Sequence, residues 1–442
     1  MVGDRPVPED LRMSVWSLRR YRALRFAVNG EPARKGRSGS RAAISFQRQV
    51  MDQMDAWRRF PMTGPVALDL YFRSVLKGPP AIHNAAKHAL DALGPALEGN
   101  ARPRRRHVLY RDDRQVKFLY VDLDQGWARE APARPTGTGI VYVTARRARD
   151  VAADMRAALL VGQEDDDDDH DTDCPFVVPE LPDEPDIGWP GVPPANVTDF
   201  HRWLDDDIRF RHIADLQKAI LAGTDAMLAS GLTDCLRPTN NIGADEQIAA
   251  ILADAQAESR ELLLSSPLTL PLPSLPRATG ETAAFGRQIR AQIEEFRSRW
   301  PLFQSLLVPV TITFLVTPPA QGKDLDNIAL TALPIAHDVL QPHISPHLLA
   351  PRIPGRDPRP EHQQRLDRLR SVNARSVMAF QAIELPRPPA DPPEGSLRAA
   401  LGLHQHDSWW ERASDYLKEK IEQADQRGEL GSDLWDEVFS SW

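Results

Sequence analysis

Cysteine is scarce in this chain: Cys174 and Cys235 are the two among 442 residues. That excludes a disulfide-stapled secreted scaffold, which needs several bridges to hold a small core. No run of 18 apolar residues occurs, so no membrane-spanning helix is expected, and no charged-then-apolar leader is read at the start. The expected compartment is the reducing cytoplasm, without disulfides. At this length two to three domains are expected, with ample material for sizeable cores.

Charge is present in abundance and unevenly placed. Residues 1–160 carry 29 Lys and Arg against 16 Asp and Glu, a net of +13; with a whole-chain charge of −8, the remainder carries −21. A basic segment on an acidic remainder suits a polyanion-binding module better than a small-molecule enzyme, because phosphate neutralisation supplies most non-specific DNA affinity. The densest cluster comprises Arg102, Arg104, Arg105 and Arg106, joined by Arg111, Arg114 and Lys117. A second basic loop, Arg34, Lys35 and Arg37 with Arg41, follows the first expected strand. Both are expected to contact DNA, against the plainer alternative of solvated arginines paired with acidic segments.

The most informative chemistry lies at Lys323-Asp324-Leu325-Asp326-Asn327. In an extended segment Asp324 and Asp326 project to the same side, where they could share a Mg²⁺ with a substrate phosphate. Helix capping by Asp326 or Asn327 is the competing explanation. The setting favours chemistry: Val308, Val310, Ile312, Phe314 and Val316 alternate as a strand before the motif, and residues 328–340 read as an apolar helix after it.

A similar layout occurs earlier. Leu24, Phe26 and Val28 alternate from 60 positions before Asn84, as Leu268, Leu270 and Leu272 do from 59 positions before Asn327. Helical patterns follow at about 42–59 and 281–299, and second strands place Val66 18 residues before Asn84 and Val310 17 before Asn327. An internal duplication is the natural inference.

On these residues the chain resembles the RusA-like Holliday-junction resolvases, Mg²⁺-dependent endonucleases that act as homodimers on branched DNA. The family pattern is an Asp-x-Asp-Asn turn, a Lys four residues after the second Asp, a helix end like Asp-Ala-Leu, and a strand opening Asp-Asp-x-Gln-Val. The first half matches in Asn84, Lys87, Asp91, Asp112, Asp113, Gln115 and Val116, but its turn reads Ala81-Ile82-His83-Asn84 and lacks both carboxylates. The second half keeps Asp324 and Asp326, yet has Leu330 in place of the Lys and no Asp-Asp-x-Gln-Val. The losses are complementary.

The resemblance implies an α+β fold with two RusA-like domains, each a mixed β-sheet packed with helices. The expected organisation is a basic domain at 20–160, an acidic linker at 161–197 containing Asp165 to Asp169, a helical insertion at 198–264, a second domain at 265–386, and a helical tail at 395–442. It further implies one composite site in which Asp324, Asp326 and Asp113 ligate Mg²⁺, or Mn²⁺ in its place, Asp112 supports them, and Lys87 stabilises charge on the phosphate. The implied partner is branched or double-stranded DNA, bound by an intramolecular pseudo-dimer, with further pairing into a homodimer left open. Two alternatives stand: a DNA-binding pseudo-dimer without catalysis, and a protein-interaction factor using the apolar C-terminal stripe of Leu434, Trp435, Val438, Phe439 and Trp442. That stripe also suits docking on the chain's own core. His404 and His406, at i and i+2 without a third ligand, make a poor zinc site.

Overall fold

Burial separates the edge of the sheet from its centre. The computed structural model describes residues 22–30, 41–74, 81–97, 99–101, 106–124, 139–164, 176, 197–236, 246–265, 269–273, 282–303, 306, 308–317, 325–339, 377–387 and 395–440. Strand β1 (Leu24–Asn29) buries every second residue, whereas β6 (Val310–Thr317) is buried at all its positions. One apolar face suffices at an edge, while a central strand is covered on both sides. The other strands are β2 (Val66–Arg73), β3 (Val116–Asp124), β4 (Ile140–Arg147), β5 (Thr269–Leu272), β7 (Val377–Glu384) and β8 (Ser396–Leu403). All eight form one mixed sheet in the order β1-β4-β2-β3-β7-β6-β8-β5.

Read from its two edges inward, this order repeats. Strands β2 and β3 are parallel, as are β6 and β7, and the register shifts at the matching place in each pair, after Val66 and after Val310. The remaining neighbours are antiparallel. Aligning the halves through these shifts makes Phe118 the counterpart of Ala379 and Asp122 that of Ile383. At the β3–β7 seam Phe118 faces Ile383, Asp122 faces Ala379, and Tyr120 faces its own counterpart Gln381. That is the pairing a two-fold axis between Tyr120 and Gln381 requires.

Among the described residues nine helices cover the sheet: α1 (Arg41–Ala56), α2 (Ile82–Leu93), α3 (Ala148–Glu164), α4 (Val197–Cys235), α5 (Glu246–Ser265), α6 (Thr282–Arg299), α7 (Leu325–Val339), α8 (Trp409–Arg427) and α9 (Asp433–Ser440). One core joins α1, α2, α6 and α7 to the sheet through residues such as Met54, Leu90, Ile289 and Leu333 against Leu68, Leu119, Ile312 and Phe380. The other joins α3, α8 and α9 through Met155, Leu417, Ile421 and Trp435 against Phe118, Leu315 and Ile383. Helix α4 serves both, with Ala214 and Leu221 in the first core and Leu228 and Leu232 in the second. Helices α2 and α7 pack together, and so do α3 and α8.

The architecture is α+β with a mixed sheet, and two expected boundaries need correction. Residues 395–442 do not form a purely helical tail: they open with β8, which pairs with β5 and β6, so the sheet of the second half runs past 386 to Leu403. The Ala- and Leu-rich run Ser396-Leu-Arg-Ala-Ala-Leu-Gly-Leu has a helical composition, and pairing within the sheet overrides it. The two expected domains also share one sheet instead of having separate ones. Residues 161–164 belong to α3, and most of the acidic linker, including Asp165 to Asp169, lies outside the described residues. The C-terminal stripe is turned inward, since Trp435, Val438 and Phe439 are buried in the second core. Among the described residues no helix is long and apolar enough to cross a membrane.

Gly402 marks the tightest point of this packing. A Cβ there would lie 2.6 Å from Asp225 Oδ1, a buried carboxylate on α4. Overpacking of this kind costs about 1–3 kcal/mol. Gly402→Ala should lower urea-unfolding stability by that order, and unchanged stability would show that α4 does not press on β8.

Candidate functional site

Beyond β8 the chain becomes a polar strap running from the second half onto the first. His404 N donates to Pro309 O at 3.1 Å, still within the second half. Tyr120 of β3 then donates its hydroxyl to Gln405 O. Asp69 of β2 accepts from Ser408 Oγ and from Trp410 Nε1, each at 2.7 Å. Ser408 also caps α8, accepting from Glu411 N at 3.3 Å. Trp409 Nε1 donates to Asp225 Oδ1 at 2.6 Å, and Arg412 pairs with Asp225 at 2.5 Å. A buried indole N–H needs an acceptor, and each of the adjacent tryptophans finds a carboxylate, Asp225 buried and Asp69 half-buried.

These carboxylates are held in unusual states. Burial, followed by the nearby charge of Glu411, pushes Asp69 well above the ordinary carboxylate range, against the lowering effect of Ser408, Trp410 and Arg146. Burial also raises Asp225, although Arg412 and Trp409 oppose it. Cys235 is buried, and its thiol is pushed up to about 12, which makes it a poor nucleophile.

Beside the strap, Asp122, His404 and His406 form a group that could hold a metal ion. One ligand atom from each lies within 4.8 Å of the others. Asp122 Oδ1 is 3.2 Å from His404 Nε2, and Oδ2 is 3.4 Å from His406 Nδ1. Asp122 and His404 are buried, with side chains 1% and 7% exposed, whereas His406 is 71% exposed. Burial favours the neutral form of Asp122, but the two imidazoles outweigh it and lower its pKa. The Asp122 carboxylate in turn raises His406. Tyr71 lies edge-on to His406 with ring centres 6.4 Å apart, and its hydroxyl donates to Asp124 Oδ2 at 3.0 Å.

The residues expected from sequence lie elsewhere. Lys87 of α2 stands 3.4 Å from Asp91 Oδ1 and 3.8 Å from Asp113 Oδ2, so two separated motif fragments do meet. Asp112 accepts from Arg114 N at 2.9 Å and, with Gln115, forms the capping box of a short 3₁₀ turn at Asp113–Gln115. Gln115 also donates to Gly64 O at 2.8 Å, fixing the turn to the start of β2. Asp326 heads α7, but its side chain, like all of Asp324, lies outside the described residues. Helix α2 begins at Ile82 after Ala81, which offers no side-chain cap, as a turn without carboxylates dictates.

Arg106, Arg111 and Arg114 are exposed. Lys117 is engaged instead in an ion pair across the seam, with its Nζ 2.7 Å from both carboxylate oxygens of Glu384. Arg34, Lys35, Arg37, Arg102, Arg104 and Arg105 lie outside the described residues. The role of Asp122 was missed because it lies 282 positions from His404. The i, i+2 histidines were visible, but their partner depends on the seam.

The raised pKa of Asp69 makes stability depend on pH. The folded state holds its proton more tightly than the unfolded chain, so this contribution is full below the ordinary value of 3.8 and is lost as pH rises through the raised value. Wild type should therefore lose ground to Asp69→Asn in urea unfolding as pH climbs from about 4 to neutrality. A pH-independent difference would refute it.

Comparison with protein-family models, with curated proteins and with solved structures finds no match to this chain.

Proposed function

We propose that this protein is a metal-dependent, structure-selective endonuclease acting on branched DNA in the cytoplasm, with two RusA-like halves forming an intramolecular pseudo-dimer. The observation that carries the reading is the meeting of Lys87 with Asp113, which joins two fragments of the motif set beside the exposed Arg106, Arg111 and Arg114. Further support comes from α2, which bears Lys87, packing against α7, whose first turn bears Asp326.

Carboxylate oxygens suit Mg²⁺, or Mn²⁺ in its place, and in this reading Asp324, Asp326 and Asp113 hold it. The ion supplies charge stabilisation and activation of water. Asp112 holds the Asp113 turn in shape through its capping bonds. Lys87, half-buried between two carboxylates, meets the negative charge that builds on the phosphate. The exposed arginines hold the DNA backbone.

A second reading, a branched-DNA-binding pseudo-dimer without catalysis, is favoured by the carboxylate-free turn at Ala81 and by the commitment of Asp112 to a cap.

Purified protein mixed with a labelled four-way junction and Mg²⁺ should cut it. Asp326→Asn and Asp113→Asn should each reduce cutting by at least about a hundredfold while leaving junction binding within about threefold. Binding without cutting by the wild type would select the second reading, and absence of both would end the DNA assignment.

A further inference from the structure

The strap brings two imidazoles from the second half against a carboxylate of the first. Asp122 is wholly buried, yet its Oδ2 has no hydrogen-bond partner. His406 Nδ1 lies 3.4 Å from that oxygen without the alignment of a hydrogen bond. An unsatisfied buried carboxylate oxygen carries a large desolvation penalty unless something positive binds it. Among the described residues it belongs to a group in which one ligand atom each of Asp122, His404 and His406 lie within 4.8 Å of one another.

The spacing fits a bound transition metal. Metal–nitrogen and metal–oxygen bonds of about 2.0–2.2 Å in a tetrahedral shell place neighbouring ligand atoms about 3.3–3.6 Å apart. The Asp122–imidazole distances, 3.2 Å from Oδ1 and 3.4 Å from Oδ2, lie close to that spacing, and one ligand atom from each of the three side chains lies within 4.8 Å of the others. The planes of His404 and His406 are nearly perpendicular, at 84°, with ring centres 5.0 Å apart, so the rings approach from different directions without stacking. Asp124 and Asp407 add negative charge around His406. Because His406 is largely exposed, an ion held here would keep a position open toward solvent.

We propose that Asp122, His404 and His406 form a binding site for a first-row transition ion, Zn²⁺ being the best match, that fastens the second half of the chain to the first. Two nitrogen donors and one carboxylate favour such an ion over Mg²⁺, which demands an oxygen shell. The site is separate from the residues assigned to DNA cleavage, and neither reading needs the other.

The test uses the full chain, stripped with chelator and reloaded with Zn²⁺ or Co²⁺. Wild type should bind one ion per chain by calorimetry, produce visible Co²⁺ absorption typical of four- or five-coordination, and resist displacement by excess Mg²⁺. Zn²⁺ should also raise the unfolding midpoint. His404→Ala and Asp122→Asn should weaken binding at least about tenfold. His406→Ala, at an exposed position that leaves the core intact, should do the same and remove the Zn²⁺-dependent rise. Failure of the wild type to bind, or an unchanged affinity and midpoint shift in folded His406→Ala, would overturn the proposal.

Discussion

The antiparallel pairing of β3 with β7 is the constraint on which the rest of the structure depends. Each half alone would end in an exposed inner strand, an edge with unpaired backbone groups open to aggregation. Pairing Tyr120 with Gln381 turns those two edges into the middle of one sheet. It also brings α2 to α7 on one face and α3 to α8 on the other. Lys117 and Glu384 close one end of the seam with an ion pair, and Asp122 lies toward the other end, beneath the histidines.

The repeat is broken where the molecule is chemically richest. The first half passes directly from β4 into α3, since β4 ends at Arg147 and α3 starts at Ala148. In the second half, residues 404–408 intervene between β8 and α8 and lie across the seam. The strap and the first turn of α8 meet acids in the interior: Ser408 and Trp410 meet Asp69, His404 meets Asp122, and Trp409 meets Asp225. Placing carboxylates in the interior is costly, and the hydrogen bonds to Asp69 and Asp225 offset that cost. Such an arrangement gives specificity: a strap displaced by one residue would leave several of them unpaired.

Much of the framework was legible in the sequence. Alternation located β1, β5 and β6, the spacing of the repeat placed β2, and helical patterns located α1, α4, α5 and α6, because local periodicity reports a local environment. Lys87 and Asp113, which the family resemblance implies belong to one site, lie 3.8 Å apart. Strand β8 was misread, since Ala399, Ala400 and Leu401 favour a helix and only β5 and β6 on either side make the segment extended. The group of Asp122, His404 and His406 was half seen, as two histidines lacking a partner. Its third member is supplied by topology, which no short-range spacing encodes.

The central claim is that the two halves are one cooperative structure joined at the seam. Native-state hydrogen exchange with increasing denaturant tests it most directly, by following the amides of β2 and β3 against those of β6 and β7. Shared strands predict that both sets merge onto one unfolding isotherm, with Tyr120 and Gln381 among the last to exchange. If one half opens at lower free energy while the other stays protected, the halves are independent and the account of the seam is wrong.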